Sequence, residues 1–230
     1  MNDIFSEVPL FALVLTIGAF QIGQWCQKKT GSALCNPILI GSILVIIVLL
    51  LTGISPESYE AATARLSWLL TPATVCLALP LYDQLKCLKK NLPAIFCGIG
   101  AGTVAGLFCI LLLCRLFGLD QSLSVSLLPK SITTSMGTVL SVQHGGIEAL
   151  TSIAIIITGI LGNLFGSFLC RLLKLTNPIS QGVALGCASH VIGTSRATQL
   201  SPIAGAVSSL SLVVSGILTA VLFPIFVGFL

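Results

Sequence analysis

Long stretches of the sequence contain no charged residue, and shorter charged stretches separate them. Among these uncharged stretches are residues 8–27, 30–56, 66–82, 91–114, 149–170 and 197–230. Most of them approach or exceed the roughly 20 apolar residues that a helix needs to cross a bilayer. Within a bilayer, a helix satisfies its own backbone N–H and C=O groups. The pattern therefore predicts an all-α integral membrane protein with one polytopic domain, residues 1–230.

The composition agrees with this prediction. Hydrophobic residues make up 55% of the chain and charged residues 8%, whereas a soluble domain carries about 25% charged residues. The net charge of +4 is spread over short loops, which gives no indication of nucleic-acid binding. The nine cysteines show no CxxC spacing and mostly fall in apolar stretches, where cysteine acts as a small hydrophobic residue. We therefore expect no metal site and no cofactor.

Loop charges predict the orientation, because cytoplasmic loops are enriched in Lys and Arg. Bases gather near residues 28–29, 86–90 and 171–174, and acids gather near residues 57–60. The N-terminal stretch carries Asp3 and Glu7 where a signal peptide would carry bases. We expect this stretch to be retained as a helix, with the N-terminus outside.

The stretch 122–145 is a poor candidate for a continuous helix, because it contains Pro129, Lys130 and Gly137. A helix at about 93–116 would run outward, and the bases near 171–174 require the next full span to return inward. The intervening stretch must then enter and leave the membrane on the same face. The sequence predicts about seven transmembrane helices plus a re-entrant segment at about 122–145.

A weak internal repeat matches segments starting near residues 36, 68 and 93 with segments starting near 150, 181 and 204. An odd number of spans per unit gives the two halves, about 36–116 and 150–228, opposite orientations. Such an inverted repeat, with two interrupted helices, is typical of secondary transporters and indicates a midplane substrate site. The interruptions are Thr71-Pro72 and Pro80 in the first half, and Gly182, Gly186 and Gly193 in the second. Pro and Gly are also common in ordinary membrane helices, which leaves a simpler interpretation open.

Polar side chains in three otherwise apolar stretches are predicted to bind substrate. They are Thr71, Thr74, Lys130, Ser131, Thr133, Thr134, Ser189, His190, Thr194 and Arg196. An ammonium at membrane depth needs a partner or a wet cavity, unless Lys130 lies at a helix end and extends to the interface. The guanidinium of Arg196 can hold a carboxylate through two hydrogen bonds, unless it is only a loop charge.

The remaining polar features also have two interpretations. His190 can change charge near neutral pH, or it can serve as a hydrogen-bond donor in helix packing. The break at Thr71-Pro72 frees backbone N–H groups that could meet an anion at a half-helix N-terminus. Glycines 98, 100, 102 and 106 predict close helix packing, and we expect a homodimer that uses this stretch or the C-terminal helix.

The positions of the acids favour an anionic substrate. All seven acids fall in or near predicted loops, whereas a cation pump normally keeps a carboxylate at membrane depth. Lys130 and Arg196 are therefore predicted to hold the carboxylate of one anion between them. No hydrolase or phosphate-loop motif is found, so we do not expect an enzyme.

Several of these stretches resemble the LrgB/CidB family of bacterial membrane proteins, which includes the membrane half of the plastid glycolate/glycerate translocator. The matching pieces, in chain order, are residues 36–40, 71–82, 128–134, 159–162, 188–190 and 193–197. Ser135 and Ser195 depart from the family pattern, where proline and alanine are usual. Both replacements are small and should spare the site.

The resemblance implies two competing functions in the bacterial inner membrane. The first is transport of small 2-hydroxy or 2-oxo monocarboxylates such as glycolate, glycerate, lactate or pyruvate, with possible proton coupling. The second is holin- or antiholin-like modulation of murein hydrolase activity and cell lysis, with a small LrgA/CidA-type membrane partner. The inverted repeat and the buried cations favour the carrier.

Overall fold

The computed structural model describes residues 9–30, 37–69, 72, 75–76 and 78–230. These residues form helices and the turns between them, and this part of the chain contains no β-strand. The helices are α1 (Pro9–Thr30), α2 (Pro37–Thr52), α3 (Pro56–Ser67), α4 (Ala78–Asp83), α5 (Leu85–Leu116), α6 (Gln121–Leu127), α7 (Thr134–Gln143), α8 (Glu148–Leu172), α9 (Pro178–Leu200) and α10 (Pro202–Val227). The predicted all-α class is confirmed.

Four of the described helices are long and apolar enough to cross a membrane. They are Leu10–Thr30 within α1, together with α5, α8 and α10. Helix α2 is also apolar but has only 16 residues. The chain is a multi-pass membrane protein, although the predicted number of about seven spans is not reached among the described residues.

The chain divides into two compact units, Met1–Cys76 and Leu77–Leu230. In the first unit, α1 packs against α2 and α3. The hydroxyls of Thr16 on α1 and Tyr59 on α3 lie 2.6 Å apart and share a hydrogen bond. The predicted site residues Thr71 and Thr74 lie outside the described residues, and the second unit contains all the others.

Helix α5 corrects one prediction. The bases at residues 86–90 were expected in a loop before a helix beginning near residue 93, but α5 begins at Leu85 and continues through Pro93. Lysine is a good helix former. The ring of Pro93 leaves only the Lys89 carbonyl without its helical partner, and Lys89 is exposed. The helix can therefore extend beyond its apolar part at little cost.

Helices α6 and α7 form hairpin 1, with residues 128–133 as its tip. The two open ends of this hairpin meet, because the Ser122 hydroxyl donates to the Gly145 carbonyl oxygen at 3.1 Å. The Ser126 hydroxyl also accepts a hydrogen bond from the Ile147 N–H at 2.7 Å. Hairpin 1 thus returns to the end at which it began, which is the shape that a re-entrant segment requires.

Helix α9 is broken at Ser189 (φ −139°, ψ 22°) and His190 (φ 42°, ψ −137°). A positive φ at a non-glycine residue is uncommon and marks a sharp change of direction. Before the break, Leu185 and Ser189 approach Gly166 and Gly162 of α8 in turn. The chain therefore travels toward the N-terminal end of α8 until it reaches residue 190.

After the break the chain turns back along α8. The Asn163 amide donates to the Ile192 carbonyl oxygen at 3.0 Å, and the Arg196 Nε donates to the Ser167 hydroxyl at 2.8 Å. The two arms of α9, residues 178–187 and 192–200, form hairpin 2, with residues 188–191 as its tip. The predicted interruption of this segment is confirmed, but it lies at residues 189–190 and not at the glycines.

The two hairpins approach helix α10 from opposite ends. The open end of hairpin 1 lies near the C-terminal end of α10, where the rings of His144 and Phe223 are 5.1 Å apart. The arms of hairpin 2 instead contact the start of α10, where Gly182 meets Ala204. The tips of both hairpins therefore lie near the middle of α10. Among the described elements, hairpin 1 resembles hairpin 2 in form, and the predicted interrupted segment 68–82 lies partly outside the described residues.

Close packing of hairpin 2 on α10 gives a stability prediction. A Cβ at Gly182 would lie 2.6 Å from the Ala204 carbonyl oxygen and 2.7 Å from the Val207 Cβ, whereas a Cβ at Gly100 would meet no atom within 4 Å. Gly182→Ala is therefore expected to destabilise the protein by about 1–3 kcal/mol, and Gly100→Ala is expected to be neutral or stabilising. Thermal unfolding in one detergent measures both. Equal melting temperatures for the two variants would contradict this packing.

Candidate functional site

A cavity of about 590 Å³ lies between α5 and the first arm of hairpin 2, and the tip of hairpin 1 also lines it. The residues that line it are Asn91, Ala94, Gly98, Gly102, Gly106, Lys130, Ser131, Leu175, Asn177, Ile179, Ser180, Val183, Ala184, Cys187 and Ala188. Most of these side chains are small. They leave room for a ligand of a few non-hydrogen atoms.

The cavity runs from one end of the helices to the tips of the hairpins. Asn91, near the start of α5, and Asn177, which precedes α9, lie at one end of it. Lys130 and Ala188 lie at the other end, one on the tip of each hairpin. The bases near residues 86–90 and 171–174 belong to the same end of the helices as the two asparagines. The cavity thus joins the more basic end to the place where the hairpins meet.

Lys130 is the charged residue among the side chains that line this cavity. Its ammonium is partly buried and donates a hydrogen bond to the Ser131 hydroxyl at 3.2 Å. The lining of the cavity contains no carboxylate, and the acids of the second unit lie at helix termini: Asp83, Asp120 and Glu148. The ammonium therefore contributes a positive charge that no lining side chain neutralises.

The start of α7 follows Lys130 closely along the chain. Thr133 is the N-cap residue of α7, and its side chain forms no capping hydrogen bond. The first N–H groups of a helix lack partners within the helix, and the helix dipole makes this end attractive to anions. Of the residues predicted to bind substrate in this stretch, Lys130 and Ser131 line the cavity, whereas Thr133 and Thr134 are not among its lining residues.

The polar residues at the tip of hairpin 2 point mainly into the protein. The His190 ring is 5% exposed, and its Nε2 lies 3.0 Å from the Ile155 carbonyl oxygen on α8. The Thr194 hydroxyl donates to the His190 carbonyl oxygen and contacts the Ser208 hydroxyl at 2.8 Å. Ser189 is buried against Gly162. Their described contacts hold hairpin 2 against α8 and α10, which matches the packing alternative for His190.

Arg196 is not among the residues that line the cavity. It lies on the second arm of hairpin 2, where its Nε donates to Ser167 and its Nη1 donates to Gln199, both at 2.8 Å. Its guanidinium therefore faces α8 and the end of its own arm. This structure does not bring Lys130 and Arg196 into one cavity.

One face of α5 lines the cavity, although none of its residues was predicted to belong to the site. Asn91, Ala94, Gly98, Gly102 and Gly106 follow one another at intervals of three or four residues, so they share one face of the helix. Three of the four glycines that predicted a packing surface for a homodimer instead line the cavity. The regular spacing of these small residues after Asn91 could have predicted from the sequence that this face of α5 lines a cavity.

The architecture defines a class of helical membrane protein in which two opposed hairpins meet beside a cation-lined cavity. A family model described as the LrgB-like family matches residues 16–229. The chain belongs to the LrgB-like family.

Similar proteins agree over nearly the full length. The chain is 35% identical over 227 residues to a "Holin-like protein CidB" of Staphylococcus epidermidis strain RP62A, with 99% of this chain and 98% of the relative covered. It is 33% identical, with the same coverage, to a "Holin-like protein CidB" of Staphylococcus aureus strain N315. No solved structure matches the chain. The resemblance inferred from the short sequence motifs is confirmed.

Proposed function

We propose that this protein carries small 2-hydroxy or 2-oxo monocarboxylates, of the glycolate, glycerate, lactate or pyruvate type, across the bacterial inner membrane. The proposal rests on the position of Lys130, which lies at the end of the cavity where the two hairpin tips meet. A partly buried ammonium without a carboxylate beside it is costly. A bound organic anion would remove this cost by forming a charge-assisted hydrogen bond.

The start of α7 supports an anion as the ligand. A carboxylate beside Lys130 could accept a hydrogen bond from the ammonium, and the N-terminal end of α7, whose N-cap residue Thr133 lies three residues further along the chain, favours an anion nearby. A cation would meet the opposite conditions, because the ammonium and the helix terminus both repel it. The site is therefore better suited to an anion than to a metal ion or an organic cation.

The opposed hairpins support a carrier more than a simple pore. Two hairpins that enter from opposite ends place a broken backbone beside the ligand from each side, as in many secondary transporters. Small movements of either tip could close one route and open the other. His190, at the tip of hairpin 2, is the proposed proton-linked group because imidazole titrates near neutral pH.

The names of the relatives favour a second function. Both are called holin-like, which supports a holin-like role for this chain. The family resemblance implies that such a role would modulate murein hydrolase activity and cell lysis together with a small LrgA/CidA-type partner. The geometry at Lys130 supports the carrier, whereas the names support this alternative. We also propose that the chain forms a homodimer and acts with this small partner.

Purified protein in sealed liposomes distinguishes the two functions. A carrier takes up labelled glycolate, lactate or pyruvate while a trapped dye of several hundred daltons stays inside the liposomes. A holin-like lesion releases the dye and shows no preference among the small solutes. Dye release without selective uptake would reject the carrier.

The proposed orientation gives a second prediction. We expect cysteines introduced at Lys89 and Lys174 to react only from the cytoplasm, and a cysteine at Asp120 to react only from outside. The reason is that bases concentrate in cytoplasmic loops. A membrane-impermeant maleimide applied to intact and to permeabilised cells, in a cysteine-free background, measures this. External labelling at positions 89 and 174 would reverse the orientation.

A further inference from the structure

A second and much smaller cavity adjoins the Lys130 site. It measures about 20 Å³ and shares Gly102, Gly106, Ser131 and Cys187 with the larger cavity. Its other polar walls are the hydroxyl groups of Thr103, Ser215 and Thr219. We call this space the Thr103 chamber. Its volume suffices for one water-sized group.

The hydroxyl of Thr103 has no hydrogen-bond partner among the described residues, although the residue is only 7% exposed. Buried hydroxyl groups nearly always find a partner, because an unpaired one loses its hydration without compensation. Thr103 lines the chamber directly. A polar atom in the chamber would supply the missing partner.

The other walls are ready to bind the same atom. Ser215 and Thr219 are 2% and 4% exposed, so their hydroxyls are also removed from bulk water. The Ser215 O–H donates to the Leu212 carbonyl oxygen at 3.2 Å, so toward the chamber its oxygen can only accept. Ser131 accepts the Lys130 hydrogen bond, which leaves its O–H free to donate. The O–H groups of Thr103 and Ser131 can donate to a hydroxyl or to a keto oxygen, and the Ser215 oxygen can accept from a hydroxyl.

We infer that the Thr103 chamber binds the oxygen at C2 of the transported acid, while Lys130 binds its carboxylate. This inference rests on the proposed function. Ser131 lines both cavities and contacts Lys130, so the two subsites are adjacent. The carboxylate carbon and C2 of a 2-substituted acid are adjacent as well, and the rest of the molecule can occupy the larger cavity.

The chamber determines specificity through the polar groups that an unsuitable ligand leaves unpaired. A 2-hydroxy or 2-oxo acid satisfies the Thr103 hydroxyl, whereas the matching unsubstituted acid presents only C–H groups there. Sites built to hydrogen-bond a substrate oxygen discriminate strongly against analogues that lack it. Thr103 is therefore a specificity-determining residue, with Ser215 and Thr219 in support.

Binding to matched pairs of acids tests this inference. Glycolate against acetate, and lactate against propionate, are measured with the purified protein in nanodiscs and with the variants Thr103→Val and Thr103→Ser. Valine has nearly the shape of threonine without the hydroxyl, and serine keeps the hydroxyl. We expect the wild type and Thr103→Ser to bind the 2-hydroxy acid more tightly than its unsubstituted partner. In Thr103→Val, the ratio of the two affinities is expected to fall roughly tenfold.

The outcomes separate the chamber from the carrier. If Thr103→Val binds both acids with the wild-type ratio, the chamber holds only a water molecule, and the inference is wrong while the carrier stands. If the wild type binds none of these acids, the proposed function fails and the inference fails with it. Melting temperatures of both variants confirm that the fold is unchanged.

Discussion

Replacing Lys130 with glutamine is expected to weaken the binding of a small organic anion by roughly tenfold or more. The ammonium is the charge that lines the cavity, and a hydrogen bond to a charged group contributes about 1.5–3 kcal/mol, where 1.4 kcal/mol corresponds to a factor of ten. Glutamine keeps a polar side chain of intermediate length but removes the charge. Titration of labelled glycolate, lactate or pyruvate onto purified protein measures the change.

Two matched variants make this result specific. Lys130→Arg keeps the positive charge and should retain more affinity than Lys130→Gln. Lys28→Gln removes an exposed lysine of the first unit and should leave the affinity unchanged. An equal loss in Lys130→Gln and Lys28→Gln would mean that overall charge, and not the cavity, attracts the anion.

In a background without the native cysteines, which is needed because Cys187 also lines the cavity, a cysteine in place of Ala188 is expected to be alkylated through the cavity and to abolish uptake once modified. Ala188 is exposed at the tip of hairpin 2 and lines the cavity opposite Lys130. A charged, membrane-impermeant thiol reagent applied from the cytoplasmic side should therefore reach it through water. The modified side chain would fill the space that the anion needs, so uptake should fall close to background.

Val191 provides the control for this experiment. It lies three residues further along hairpin 2 and is 40% exposed, but it does not line the cavity. Val191→Cys should react slowly with the charged reagent, and its modification should leave uptake largely intact. Excess glycolate or lactate should protect Ala188→Cys and have no effect on Val191→Cys. Equal reactivity at the two positions would argue against a water-filled route to the hairpin tips.

Much of the fold could be predicted because the apolar stretches are long and the charges mark their ends. Residues 91–114 and 149–170 correspond to the apolar parts of α5 and α8. Pro129 and Gly137 indicated that the segment around Lys130 would not form one helix, and hairpin 1 has the expected shape. The start of α5 was wrong because a helix can continue into water, where charged residues no longer mark its end.

The direction of the chain after residue 190 could not be predicted from the sequence. Helical periodicity reports which residues share a face, but it does not report a reversal made by two residues. His190 adopts a positive φ without being glycine, so its residue type gives no local signal. The contact that places it, from its ring to the Ile155 carbonyl oxygen, joins residues 35 positions apart.

The same reversal explains why the predicted site was only partly assembled. Lys130, Ser131, Thr133 and Thr134 are neighbours in sequence, so one hairpin tip holds them together. The sequence prediction brought Arg196 toward Lys130 by a break in the helix and did not include a reversal of the chain. Because hairpin 2 returns along α8, Arg196 reaches Ser167 instead. Its predicted role in anion binding stays a prediction, separate from the Lys130 cavity.

The most direct test of the central claim compares the wild type with Lys130→Gln in sealed liposomes. Both proteins are reconstituted at equal density, and uptake of labelled glycolate, lactate and pyruvate is measured beside retention of a trapped dye. We expect the wild type to accumulate at least one of these acids without dye release, and Lys130→Gln to accumulate little. Equal uptake by both proteins, or dye release by the wild type, would contradict an anion carrier built around Lys130.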